Sequence, residues 1–399
     1  MENNSIATHI SKEETVDLLR RMIQVKTVNE PGDEKPLAEL LAKEMASFGM
    51  EVEVTDLGNN RANVTGILKG TGEKKALLFN GHLDTVPPGD VEWKYDPYSG
   101  HVEDGKIYGR GSADMKGGIA GMIMAAKAIK LAGVELKGDL IISGVAGEEI
   151  DSIGAFDFLN KGGLKDVEAI VIGEPSNSEI NVAEKGALWV EITTYGHTAH
   201  GAFPHKGKNA IVYMNALMNQ LLQYQYTYEE NELVGSPTMN LSTINGGVKT
   251  NVVPDKCTIT IDMRTVPGMV HDDIINDFKK IIEVLQGEIE GFAAEIKITN
   301  NRPAVETDAS HPFIKTAQEV VKEEFGRTVE AKGVNFYTDA AVFLPATNLP
   351  AIFYGPGSSD MAHQPNEHIS IDSLMEATQF YAALAEKFLS VKPVHANLA

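Results

Sequence analysis

Cysteine is almost absent from this sequence: Cys257 is the only one among 399 residues. An internal disulfide is excluded, and with it the class of small secreted folds stapled by disulfides. The flanks of Cys257, CTITIDM, alternate like a strand, so the thiol reads as a small packed apolar group; a reactive thiol is the alternative. Long hydrophobic runs are missing too. The most apolar stretch, 117–134, is interrupted by Lys127 and Lys130, which makes it too short and too charged for a bilayer span; it reads as a helix buried in a core. The opening MENNSIATHISKEE has neither the basic start nor the apolar run of a signal, so the expected home is the cytoplasm. Basic charge is scarce as well: 35 Lys and Arg against 56 Asp and Glu leave a net −21, a field that repels phosphate backbones and anionic bilayers. Neither nucleic acid nor membrane is an expected partner.

With 43% hydrophobic and 23% charged residues there is ample material for a large core, and the length suggests two domains. Ser11 and Glu14 make a capping box for a helix to about Val25, and a second helix covers 34–48 before Gly49 stops it. EVEVTD alternates with period two, whereas ANVTGIL and KALLFNGHLD are apolar or β-branched runs, the latter a central strand buried on both faces. A helix over 115–131, the strand DLIISGVA, a helix after Asp151 and the strand EAIVIGE continue the alternation. After Gly186 the order becomes ALWVEITTY, a helix over 209–224, MNLSTING, CTITIDMR, a helix over 272–285, and AAEIKIT. That order is a unit of the split βαβ kind. Helices and strands alternate again from Ser310, with a buried strand LPAIFYG and a last helix over 371–388. The expected fold is α/β: a discontinuous catalytic domain, 1–185 and 301–399, on a mostly parallel central sheet covered by helices, with an inserted α+β domain at 186–300.

Chemistry-bearing residues fall at the ends of these strands. His82 and Asp84 follow KALLFNG and share one side of an extended chain; alone they are equally a hydrogen-bonded surface pair. Asp114 stands at the start of the buried helix, where an acid is also a common N-cap. Glu148 and Glu149 follow DLIISGVA, Glu174 follows EAIVIG, and His363 lies beyond LPAIFYG. Several carboxylates gathered beyond apolar strands repel one another unless positive charge lies between them, and a metal cluster supplies that charge. His9, His101, His271, His311, His368 and His395 have no such setting and read as surface residues. No G-x-S-x-G elbow, G-x-G-x-x-G loop or Walker lysine is present, which removes serine-hydrolase, dehydrogenase and nucleotide-binding readings.

The stretches GHLDTVP, DGKIYGRGSADMKGG, GEE, GEPS, GHTAHGAFPHKGKNAI, NVVPD and GPGSSDMAHQPNEHI, in this order and over nearly the whole chain, resemble the dinuclear zinc peptidases and deacylases. Acetylornithine deacetylase, succinyl-diaminopimelate desuccinylase, aminoacylase and glutamate carboxypeptidase belong to that family. The resemblance implies that His82 and Glu174 hold one cation, Glu149 and His363 a second, and that Asp114 bridges both. It implies that Asp84 orients His82 and that Glu148 is the general base. The implied cofactor is two Zn²⁺ per subunit, with Co²⁺ or Mn²⁺ also compatible with such ligands. The inserted domain would serve as lid and as the contact of a homodimer. His200, which opens an H-x-x-x-P run near His197 and His205, would reach the partner's site. Asn251 and Arg264 would hold the substrate's carboxylate or carbonyl, and Gly355 and Gly357 would form the loop receiving its amino-acid portion. The implied reaction is hydrolysis of the amide of an N-acyl amino acid, as in a desuccinylase or deacetylase. A dipeptidase or carboxypeptidase is the alternative, and a non-catalytic binding homologue is the alternative from another class.

Overall fold

The structure, a computed structural model, describes residues 5–390, so the first four residues of the opening stretch and His395 lie outside the described residues. The chain divides into two compact units, the smaller made of Ala183–Val305 and Val334–Tyr337. Residues 334–337, which the sequence places with the catalytic domain, pack with the smaller unit instead.

A nine-stranded sheet organises the larger unit, with six strands in the order Glu51–Gly58, Arg61–Leu68, Leu140–Val145, Ala76–His82, Val167–Ile172, Ala351–Phe353. The last four run parallel to one another, while the first two pair antiparallel. Ala76–His82 sits in the middle and is buried at every position, as a continuous apolar run requires. Glu51–Gly58 lies at the edge and alternates between exposed and half-buried positions. Parallel central strands put their carboxyl ends on one side, and His82, Glu148, Glu149 and Glu174 follow those ends.

Helices cover this sheet. Lys12–Gln24 starts where Ser11 Oγ accepts the Glu14 amide at 3.3 Å, a cap of about 1 kcal/mol. The buried helix Gly117–Ala132 packs on the final helix Ile371–Ser390. Its start differs from the expected one: Ser112–Lys116 form a separate wide turn in which Asp114 has the extended angles φ −118°, ψ 95°. Gly118 explains how close the helix comes, because a Cβ there would stand 2.1 Å from the carbonyl oxygen of Gly173, the residue before Glu174. Two candidate site residues are thereby brought to one place by a backbone contact that any side chain would prevent.

In the smaller unit an antiparallel sheet runs in the order Thr238–Gly246, Lys256–Thr265, Gly186–Tyr195, Ala293–Arg302. Gly186–Tyr195 and Thr238–Gly246 are thus parallel but separated by one strand, the split βαβ arrangement. The helices Ala210–Leu221 and His271–Glu288 pack on the sheet over a core that includes Cys257, 1% exposed. His271 corrects the sequence reading, being buried and not a surface residue. Its Nδ1 lies 2.6 Å from Asn301 Oδ1 and its Nε2 2.8 Å from Thr265 Oγ1, tying a helix start to two strand ends. Burial holds its pKa below the ordinary imidazole value. Among the described residues no helix is long and apolar enough to cross a membrane.

Candidate metal centre

Seven of the sequence-derived candidates converge in the larger unit. His82 Nε2 is 2.9 Å from Asp114 Oδ1 and 3.5 Å from Glu174 Oε1. His363 Nε2 is 3.3 Å from Asp114 Oδ2 and 3.1 Å from Glu149 Oε2. The two oxygens of Asp114 thus face two different histidines, each with its own second carboxylate. His82, Asp114 and Glu149 also offer ligand atoms lying within 4.8 Å of one another. Glu149 Oε1 is buried with no hydrogen-bond partner among the described residues. An orphaned carboxylate oxygen in such a cluster is what a divalent cation satisfies. His363 adopts φ 60°, an uncommon left-handed conformation that turns its ring onto Asp114 and Glu149.

The charges here are unbalanced by protein alone. Burial pushes Glu148 and Glu174 well above the ordinary carboxylate range, reinforced for Glu148 by Glu149 and Glu174 and for Glu174 by Asp114. Glu149 is raised by burial and by Asp114. Burial would depress His82, but Glu174, Asp114 and Asp84 outweigh it and raise it. Hydrogen bonds donated to Asp114 and Glu149 raise His363 to about 10. Burial acts against ionised Asp114, yet His363 and His82 hold its pKa down. Bare, the cluster stores protons on imidazoles and on acids that cannot all ionise; divalent cations would replace them. Oxygen-rich donors with two imidazoles suit zinc, and cobalt or manganese equally.

Asp84 touches both His82 and the turn that carries Glu148 and Glu149. His82 Nδ1 is 2.9 Å from the backbone carbonyl of Asp84, whereas the nearer carboxylate oxygen is 3.6 Å away. That carboxylate instead accepts from the amides of Gly147 at 2.9 Å, Glu148 at 3.1 Å and Glu149 at 3.2 Å, and from Asn29 Nδ2 at 2.8 Å. It therefore holds from beneath the turn that presents Glu148 and Glu149. Gly147 has φ 84°, and a Cβ on it would meet Arg61 Nη2 and Asp151 Oδ1 at 2.3 Å. Arg61 crosses this gap from buried Glu34, 3.0 Å away, to Asp151 at 2.9 Å.

Sequence reasoning missed these supports. Glu34, Asn29 and Arg61 carry no motif, and Asp339, which accepts Asn80 Nδ2 at 3.0 Å and raises both Glu148 and Glu174, stands outside the quoted stretches. Glu367 was within reach, since it lies inside GPGSSDMAHQPNEHI. Gly355 and Gly357 lie beside the Glu174 segment: the Ser176 amide donates to Gly355 O at 3.2 Å and the Asn177 amide to Gly357 O at 2.9 Å.

His200, Asn251 and Arg264 belong to the smaller unit. His200 and Asn251 are neighbours there, since the Gly201 amide donates to Asn251 O at 2.8 Å and His200 bridges Val252. Arg264 is not with them. It pairs with Ala187 at the start of Gly186–Tyr195, binds Asp262 at 3.0 Å, and lies about 25 Å along the strand from the Tyr195 end that leads to His200.

A probable succinyl-diaminopimelate desuccinylase of Staphylococcus epidermidis is 27% identical over 410 residues, covering 96% of this chain and 99% of that protein. An acetylornithine deacetylase of Edwardsiella ictaluri is 30% identical over 358 residues, covering 88% and 90%. A solved M20 family metallo-carboxypeptidase from Sulfolobus solfataricus shares the fold, with a TM-score of 0.80 at 20% identity over 95% of this chain and 100% of that one. The family model for peptidase family M20/M25/M40 matches residues 78–387, and with these relatives across almost its whole length the chain belongs to that family of hydrolases.

Proposed function

We propose that this protein is a zinc-dependent amidohydrolase that releases an amino acid from its N-acyl derivative, in the manner of a desuccinylase or deacetylase. The observation that carries this reading is the division of Asp114: one oxygen faces His82 and the other His363. On this reading His82 and Glu174 would hold one cation, His363 and Glu149 would hold the other, and Asp114 would serve both. Bound cations supply Lewis-acid polarisation of the scissile carbonyl and a more acidic water. The remaining work falls to Glu148, which makes neither of these imidazole contacts and whose burial favours holding a proton. Its carboxylate takes the proton of the attacking water and returns it to the nitrogen of the departing amine as the C–N bond breaks. Asp84 keeps Glu148 and Glu149 on adjacent positions of one clamped turn, so that one side chain serves the cation and the next serves the water.

In the smaller unit, Arg264 and the His200–Asn251 pair stand at opposite ends of one sheet, too far apart for one small substrate to touch both from the same copy. That separation supports a homodimer in which Arg264 of one copy and His200 of the other serve one site, with Arg264 fitted to a planar carboxylate. A single buried thiol suits the reducing cytoplasm.

The test is a panel of N-succinyl, N-acetyl and dipeptide substrates, run before and after complete metal removal. Hydrolysis of an N-acyl amino acid that disappears on chelation and returns with zinc is the expected result. Activity that persists without metal refutes the reading, and turnover confined to dipeptides reassigns it to a dipeptidase.

A further inference from the structure

Glu367 is fully buried and lies four residues beyond His363. Its carboxylate does not face the His82 and His363 rings; it faces the backbone that carries Asp114. Oε1 accepts the amides of Ala113 at 2.8 Å and Asp114 at 3.1 Å, and Oε2 accepts the amide of Gly111 at 3.1 Å and Arg110 Nη1 at 2.6 Å. The carbonyl of the same residue accepts the Gly109 amide at 2.9 Å. One residue of the His363 segment therefore takes five hydrogen bonds from the segment ending at Asp114. The segments meet where a short antiparallel ladder of Lys106–Tyr108 with His368–Ser370 ends, and neither ligand lies within that ladder: Asp114 interrupts its turn with extended angles, and His363 has a positive φ. Arg110, itself buried, is backed by the Trp93 ring, 5.2 Å from its guanidinium carbon, so the cation facing Glu367 has little freedom to leave.

We infer that Glu367 is a positioning residue that locks Asp114 and His363 into one rigid pair, and that it sets the affinity of the cation position those two residues share. The inference rests on the proposed two-cation site. Its selectivity follows from the contacts. The other position also takes Asp114, but its remaining ligands are His82, at the end of a strand buried at every residue, and Glu174, backed by the Gly118–Gly173 contact, and neither of these two depends on Glu367. Hydrogen-bonding partners of metal ligands typically change affinity 10- to 100-fold when removed. An amide in place of the carboxylate keeps the shape but turns an NH₂ toward one of the two rows of donors, so one row loses its acceptor.

The experiment is a zinc titration of the full chain in competition with a chromophoric chelator, comparing wild type with Glu367→Gln. Wild type should take up two zinc ions. The variant should bind one ion at least 10-fold more weakly and lose clearly less affinity for the other, with far-UV circular dichroism unchanged. Equal binding in both proteins overturns the inference, as does equal weakening of both positions, which is what a general loss of structure would produce. A wild-type chain that takes up no zinc removes the two-cation reading itself and this inference with it. Should Glu367→Gln fail to fold, Arg110→Gln takes its place: it removes one of the donors to Glu367 and should weaken the same position about threefold or more, and an unaltered second affinity refutes the proposal.

Discussion

Replacing Asp84 by asparagine isolates the clamp beneath the Glu148–Glu149 turn. The carboxylate takes two amides on Oδ1 and an amide plus the Asn29 side chain on Oδ2. In the best orientation of the new amide, its oxygen keeps Gly147 and Glu148, Asn29 turns its own amide over, and the Glu149 N–H faces an NH₂. Two bonds fall from charged to neutral acceptors at about 1 kcal/mol each, and one buried donor is orphaned at about 1 to 3 kcal/mol, a total of about 3 to 5 kcal/mol. Against a typical stability of about 5 to 15 kcal/mol this is a large loss. Urea unfolding of the metal-free protein measures it: Trp93 lies in the larger unit and Trp189 in the smaller, so a Trp189→Phe background leaves one reporter for the unit in question. The effect should also depend on pH in a defined direction. Burial opposes ionised Asp84, but His82 and its other donors hold its pKa below the ordinary value. Its contribution is then complete above about pH 4 and is lost as pH falls through the folded pKa, so wild type and variant should converge in acid. A difference below about 1 kcal/mol at pH 7, or one that grows on acidification, refutes the clamp.

Four further outcomes follow from the same geometry. Glu148→Gln should retain both zinc ions and lose about 10²- to 10⁴-fold in kcat, and a variant within threefold of wild type removes Glu148 from the proton transfer. Zinc uptake at pH 8 should release at least one proton, because Asp114 and Glu149 raise His363 to about 10 and a ligating imidazole must be neutral. Calorimetry in two buffers of different ionisation heat reads this directly, and identical heats contradict it. Burial lowers the pKa of His271, so the smaller unit should be fully stabilised above about pH 6.5 and weaken as pH falls below it. Trp189 fluorescence in a Trp93→Phe background follows that transition, and a flat profile between pH 7 and 5 denies the buried clamp. Gly147→Ala, at φ 84° and 2.3 Å from Arg61 Nη2, should destabilise the larger unit by more than about 1 kcal/mol, and equal urea midpoints would show that the turn relaxes freely.

What could be read from sequence was whatever leaves a periodic or chemical trace. Ala76–His82 was recognisable because both of its faces are buried and every residue shows it. The smaller unit was recognisable because each strand and helix is long enough to repeat its pattern. By contrast, His101–Glu103, Lys106–Tyr108 and His368–Ser370 form a sheet of three-residue strands, too short for alternation to register. The acids and imidazoles of the site stood out because they recur at the ends of apolar strands. Supports such as Glu367 and Asn63 did not, because they bond mainly to backbone amides and carbonyls, and every non-proline residue offers the same amide whatever its side chain; Asp84 stood out only through its place beside His82.

That blind spot coincides with how the site is built. Asp84 and Glu367 each sit behind a turn and collect its amides, which directs the side chains of Glu148, Glu149 and Asp114 away from the acid that holds them. Asp84, whose pKa is held below the ordinary value, also adds negative charge 3.6 Å from the His82 ring, without spending an oxygen on a cation. A neutral clamp could reproduce the geometry but not the field. An amide replacement at Asp84 should therefore weaken cation binding even in any crystal where the turn stays in place, since the attraction it supplies acts over a distance longer than a hydrogen bond.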